Sequence, residues 1–355
     1  MNAVVTPIIG IPQFELSSGN TEVAPEVKAD ITMVEVTEDV GMPAMLTFNM
    51  VLWDSTRQQI NDDYFSEFAL GTPIELAMGI DEVTPIFTGE VTALSPEFGG
   101  LTGGDSLKVQ AYNRLHRLQF GTQQRTFEKM AASEIASSIA DEVGLTGTVD
   151  NSTVKHSHVT QSNISNLKFL KELAKPINYE VSVDDNTLYF RESQESQGHT
   201  LSMTYRNELI EFTPRQRALP LGEKVEVRGW DVKNKQVIVG SAGAGDETSK
   251  MDGAQSGAEI SSAAFEGVTL TITNEPVADT DEATQIAKAR YNHQQRNFIE
   301  ADGSCVGLPL LRAGQTIEII GVGETFSGIY YVTSVTHTIG TEGYQTRFKV
   351  RRNAV

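Results

Sequence analysis

Gly71-Thr72-Pro73-Ile74-Glu75-Leu76 near the front of the chain reads like Gly314-Gln315-Thr316-Ile317-Glu318-Ile319 near its end. Each is a short alternating strand opened by glycine. Two further blocks follow in the same order. Phe87-Thr88-Gly89 leading into Val91-Thr92-Ala93-Leu94 matches Phe326-Ser327-Gly328 leading into Val332-Thr333-Ser334-Val335. Leu107-Lys108-Val109 through Asn113 then matches Phe348-Lys349-Val350 through Asn353. Period-2 alternation and β-branched content mark all of them as strands. Glycine after Phe-Thr or Phe-Ser suits a positive φ or a bulge. Three blocks in one order predict two similar β-domains near the two ends, with Gly71, Phe87, Gly89, Gly314, Phe326 and Gly328 as the residues that define them.

The middle follows another period. Ile135, Ile139 and Val143 share one face of a helix that Gly144 caps. Ser165 caps a second helix, which Pro176 stops. Tyr179 to Val183 and Leu188 to Phe190 flank Asp184-Asp185-Asn186 as a hairpin. The sequence therefore predicts a mainly β fold with α+β insertions: two related antiparallel β-domains plus a small α+β domain. The expected boundaries are 1–110 for the first β-domain and 111–198 for the α+β domain. The second β-domain takes 199–238 and 303–355. Residues 239–302 form its insertion, with a long mobile Gly/Ser-rich loop over Gly240 to Ser262 and a helix over Thr280 to Phe298.

The chain has 355 residues and a formal net charge of −19. That disfavours stable nucleic-acid binding, which needs Lys and Arg in excess. The acid is uneven: residues 1–100 hold sixteen acidic against two basic residues, and the last 55 hold four against five. One cysteine, Cys305, excludes an intramolecular disulfide framework and a Cys-rich zinc site. No run of about 18 apolar residues suggests a membrane span, and no signal peptide is apparent, so synthesis and folding in a cytoplasm are expected.

No catalytic constellation stands out. His156-Ser157-His158 could place two imidazoles on one strand face, but no Cys lies nearby and the HExxH helical arrangement is missing, so a polar strand or loop is the better reading. The glycine-rich run from Gly240 to Lys250 lacks the ending of a phosphate loop. Cys305 lies in a strand-like stretch and reads as core. No cofactor or metal is expected, and the chain is read as a non-enzyme.

Further motifs carry a resemblance. Ile86-Phe87-Thr88-Gly89-Glu90-Val91, Tyr112 to Leu118, Ser165 to Ala174 and Asn178 to Val181 resemble the late control protein D family of contractile phage tails. Phe326 to His337 followed by Gly343 to Asn353 is the most specific part. The family includes the hub half of VgrG and the hubs of contractile injection systems. The resemblance implies a baseplate hub, a homotrimer whose two β-barrel tube domains per chain make a pseudo-sixfold ring. Such a ring joins a hexameric tail tube to a trimeric spike and touches baseplate wedge proteins. It places the chain in the tail baseplate of a virion or injection particle. The chain ends at Val355 without a spike repeat, so the spike is expected to be a separate chain. Alternatives are a VgrG-type fragment of a type VI secretion system, a tail-associated lytic enzyme, and a monomeric solute-binding protein. Within the hub reading, part of the acidic set is expected to line the channel, and Arg347, Lys349, Arg351 and Arg352 are expected at an interface.

Overall fold

The computed structural model describes residues 3–4, 10–99, 104–199, 201–217, 222–232, 234–265 and 267–355. The front β-unit comprises Pro12–Ser18, Ile31–Asp39, Met45–Val51, Pro73–Ile80, Glu82–Glu97 and Ser106–Tyr112. Alternation gives each strand a core face. Val34, Val36, Phe48, Met50, Leu107 and Val109 are buried, while Thr37, Asn49, Lys108 and Gln110 face outward. The short helix Asp63–Glu67 and the residue after it cover that core. Phe68 meets Phe48 edge-on at 5.1 Å between ring centroids. Each such fully buried side chain contributes about 1.5–3 kcal/mol.

Taken in chain order, the strands of this unit lie in the sheet as second, third, sixth, fifth, fourth, first. The rear unit comprises Leu201–Thr204, Leu209–Gln216, Ile299–Val306, Thr316–Ile320, Gly328–Gly340 and Gly343–Arg352, and its sheet order is the same. The irregularities recur too. The second strand is bulged at Thr32 in one unit and at Ile210 in the other. The fifth is bulged at Thr92 and at Thr333. Thr92 donates to the Gln110 carbonyl at 3.2 Å, and Thr333 to the Lys349 carbonyl at 3.1 Å. Extra residues that return at matching places with matching bonds are built features of a repeated unit. One pairing departs: the first strand lies antiparallel to the fourth in the front unit and parallel to it in the rear.

This equivalence corrects part of the sequence matching. Gly71 and Gly314 do correspond. Both sit at positive φ, +85° and +87°, and both donate their N–H to the fifth-strand valine, Val91 or Val332. The second block agrees from that valine onward only. Leu76 faces Phe87 whereas Ile319 faces Gly328, so Phe87 is the counterpart of Gly328, and Gly89 is not. The third block is offset by two residues, because Ala111 faces Val91 and Val350 faces Val332. A strand keeps its faces under a two-residue shift, so alternation alone does not fix the register.

The middle follows expectation in its elements. Helices Ala132–Glu142 and Asn166–Ala174 pack on a sheet of Thr146–Val149, Thr187–Glu192 and Tyr179–Asp184, beside the hairpin of Gln123–Ala131 and Lys155–Ile164. Gly144 has φ +74°, and the Ser165 hydroxyl accepts from the Lys168 N–H.

The insertion differs from expectation. Gly222–Asp231, expected in the rear β-domain, instead pairs with Gln236–Gly243 and Val268–Ile272 in a separate sheet. Its own core of Val225, Val227, Ile238, Ala287 and Tyr291 packs under helix Thr280–Gln295. Alternation marks a strand but not the sheet it joins. The Gly/Ser-rich run is not a structureless loop either. It contains helix Gly257–Ala264, begun by a capping box of Ser256 and Glu259. Small residues are needed for close approach: a Cβ on Gly240 would lie 2.2 Å from the Ala283 backbone.

Candidate assembly interface

The two β-units meet edge to edge within the chain. The second strand of the front unit, Ile31–Asp39, pairs antiparallel with the fifth strand of the rear unit, from Ser334 opposite Asp39 to Ile339 opposite Val34. The sheets thus become one. The front strand can serve as a joint because its Val34 and Val36 fill the front core while its outer edge remains free to pair.

Side chains lock this seam. Arg312 donates from Nε to both Glu38 oxygens, at 2.9 and 3.0 Å, and again from its terminal nitrogen. The Ala313 N–H adds a fourth contact at 3.3 Å. Glu38 is 8% exposed, so its charge needs this fork. On the outward face Thr37 and Thr336 hydroxyls lie 3.3 Å apart, and Thr338 donates to Glu35 at 3.3 Å.

His337 sits at the centre of the seam strand and is fully buried. Its Nε2 is 3.0 Å from the Leu311 carbonyl, and its Nδ1 is 3.0 Å from the Tyr344 hydroxyl and 3.1 Å from that of Thr346. Burial, helped by the Arg312 charge, pulls the imidazole down to about 4, against the Leu311 hydrogen bond. It is a neutral ring, with Nε2–H donating to the carbonyl.

The α+β domain clasps both units. Asn113 bonds the Ala44 N–H and the Val183 carbonyl, and Tyr331 donates to Glu180 at 2.6 Å. Glu195, 6% exposed, takes Arg296 at 3.1 Å and Arg351 at 2.7 Å. A cavity of about 370 Å³ lies where the three bodies meet, lined by Glu38, Asn113, Asp184 and Arg312 among others.

The basic residues expected at an interface divide. Arg351 is spent on Glu195 and stacks 4.8 Å from the Tyr331 ring. Arg352 is 3% exposed and donates to the Ser327 carbonyl. Both are held inside the chain, because strand ends beside neighbouring bodies bury even arginine. Arg347 and Lys349 remain exposed on the outward face of the rear sheet. Phe87 is core, Phe326 packs at the core edge, and a Cβ on Gly89 would lie 2.3 Å from the Tyr112 carbonyl.

His156 does not gather metal ligands. It faces Glu282 of the insertion at 3.3 Å, and that hydrogen bond raises its pKa. His158 is exposed beside Glu128. Cys305 is buried, and burial pushes its thiol up to about 12, unlike a nucleophile. Among the described residues no group of three or more His, Cys, Asp or Glu could hold a metal ion, and no helix is long and apolar enough to cross a membrane. Sequence reasoning missed Glu38, Arg312 and Glu195, whose partners are far away in the chain.

A family model described as the Alg8 N-terminal domain matches residues 14–341. The chain belongs to that family. No curated protein matches the sequence. Among solved structures, the 43 kDa tail protein of prophage MuSo2 from Shewanella oneidensis is similar at a TM-score of 0.71 and 14% identity, covering 96% of this chain and 98% of that one. The tail protein from Neisseria meningitidis MC58 is similar at 0.70 and 10% identity, covering 96% and 97%. The E. coli c3393 protein, described as a type VI secretion component similar to T4 tail proteins gp27 and gp5, aligns at 0.54 and 13% identity, covering 92% and 74%. The mainly β fold expected from the sequence holds, and it is the fold of phage tail proteins. The hub-family resemblance is borne out at the level of fold.

Proposed function

We propose that the chain is a structural hub in the baseplate of a contractile tail or a related injection machine. Three chains, each supplying two β-units, form a ring of six that seats a hexameric tube on one side and a threefold spike on the other. The observation that carries this reading is the repeated sheet order with its repeated bulges. Two nearly equivalent docking surfaces in one chain meet a sixfold partner while the chain count stays three. The α+β domain faces wedge proteins. The hub has no motor and moves with the tube when a sheath contracts.

The outward face of the continuous sheet lines the passage in this reading. It carries Glu35 and Asp302 but also Lys108, Arg347 and Lys349. In this reading Glu35 and Asp302 supply the acidic part of the lining expected from the sequence, beside these basic residues. Glu15, Glu75 and Glu82 lie on the other edge of the front sheet, and Asp62 and Asp63 lie on its covering helix. A passage with mixed charge holds neither sign of cargo strongly.

Imaging an assembled particle with this chain labelled tests the proposal. The label belongs at the tube–spike junction, and a label elsewhere refutes it. The likeness to the c3393 protein favours a second reading, the hub of a type VI machine. Adjacent sheath and capsid genes support the tail, and a type VI gene set supports the second reading.

A further inference from the structure

We infer that the lysine-rimmed groove beside helix Asn166–Ala174 takes an acidic segment of a partner protein, one that also carries apolar side chains. This rests on the hub reading for the partner's origin, since that reading turns the α+β domain toward other baseplate proteins. It adds where such a partner sits and what chemistry it brings.

The helix divides its residues by face. Leu167, Phe169, Leu170 and Ala174 are buried in the α+β core. Lys168 and Lys171 are exposed, as is Lys175 in the short turn that follows. Spacings of three and four residues set the lysines in one row. At 1.5 Å per residue the row spans about 10 Å. It borders a groove of about 370 Å³ beside the turn Arg114–Gln119. Gln119, Ser165 and Leu167 line that groove together with the three lysines and Glu172.

These charges are not spent inside the chain. Glu172 lies 4.0 Å from Lys168, and both are exposed. Lys171 and Lys175 make no ion pair among the described residues. Lys171 instead leans on the front unit, with its Nζ 3.7 Å from the Met42 sulfur. Cations at the contacts between domains behave otherwise: Arg312 is taken by Glu38, and Arg296 by Glu195. A chain of net charge −19 has carboxylates in surplus, yet it supplies none to these two lysines. Apolar surface flanks the row. Met42 is 50% exposed, and Phe120, next to Gln119 in the chain, is 71% exposed.

The features select the occupant. The ammonium heads answer carboxylates, while the lysine stems, Met42 and Phe120 answer apolar side chains. A partner helix with carboxylates three and seven residues apart repeats the spacing of the row. Nucleic acid is the weaker fit. The rest of this acidic chain repels a long polyanion, whereas a short acidic segment feels mainly the lysines, within a Debye length of about 8 Å at physiological ionic strength.

The test is fluorescence anisotropy with the full chain and a labelled synthetic helical peptide. The peptide carries glutamates at that spacing and leucines on the adjoining face. K168E/K171E/K175E is compared with K108E/K235E/K349E, which changes the net charge equally at exposed lysines elsewhere. The groove variant should bind the peptide on the order of tenfold more weakly than the native chain, and the control should stay within about threefold. A peptide with glutamine for glutamate, or with serine for leucine, should bind the native chain more weakly. No binding, equal losses in the two triple variants, or equal affinity for the three peptides overturns the inference. So does a single-stranded oligonucleotide bound as tightly as the peptide. An oligomer in light scattering that only K168E/K171E/K175E disperses also overturns it, because the occupant is then a second copy. The hub reading is judged separately, by the label's position in the particle, and a misplaced label leaves the chemistry of the groove standing.

Discussion

Acid should loosen the joint between the β-units through one residue, His337. The imidazole is fully buried, between the Leu311 carbonyl and the Tyr344 and Thr346 hydroxyls, with the Arg312 guanidinium adding positive charge nearby. Its folded pKa is about 4, against 6.5 for an exposed ring. Between those values the unfolded chain binds a proton that the folded chain refuses. Stability therefore rises with pH, is fully present above about 6.5 and falls as pH drops toward 4. The difference of about 2.5 units corresponds to about 3 kcal/mol, from 1.36 kcal/mol per unit. Other groups titrate in the same range, so the measurement is a comparison. Urea unfolding of the native chain and of His337→Gln at pH 7.5 and pH 4 should show the native chain losing about 3 kcal/mol more than the variant. Side-chain NMR should show the His337 ring neutral down to about pH 4. A ring that titrates near 6.5, or a variant that loses as much as the native chain, refutes the reasoning.

Arg312→Ala leaves Glu38 buried without its fork and should cost roughly 3 kcal/mol in urea unfolding; a loss below about 1 kcal/mol would mean that water replaces the guanidinium. Gly71→Ala and Gly314→Ala place a side chain at φ +85° and +87°, and no contact on either added Cβ is closer than 3.8 Å. Each should cost about 1–3 kcal/mol by backbone strain alone, and unequal losses at the two sites would break their equivalence. Gly240→Val drives a side chain into the Ala283 backbone and should speed hydrogen exchange in the Thr280–Gln295 helix while sparing the front unit. Glu282→Ala removes the acceptor that raises His156, so the ring's midpoint in NMR should fall; no change would show that the hydrogen bond is not the cause.

What the sequence could disclose follows from the range of each signal. Strand alternation, the Gly144 cap and the Ser165 cap act within a few residues, and they are readable without a fold. The glycine that opens the fourth strand is equally legible, since positive φ demands it in both units. Register is not local, which is why the third block was matched two residues out of place. Sheet membership is not local either, so Gly222–Asp231 looked like part of the rear unit. The seam was invisible for the same reason. Glu38 and Arg312 are ordinary charges in sequence and become a buried pair only when strands some 300 residues apart lie side by side.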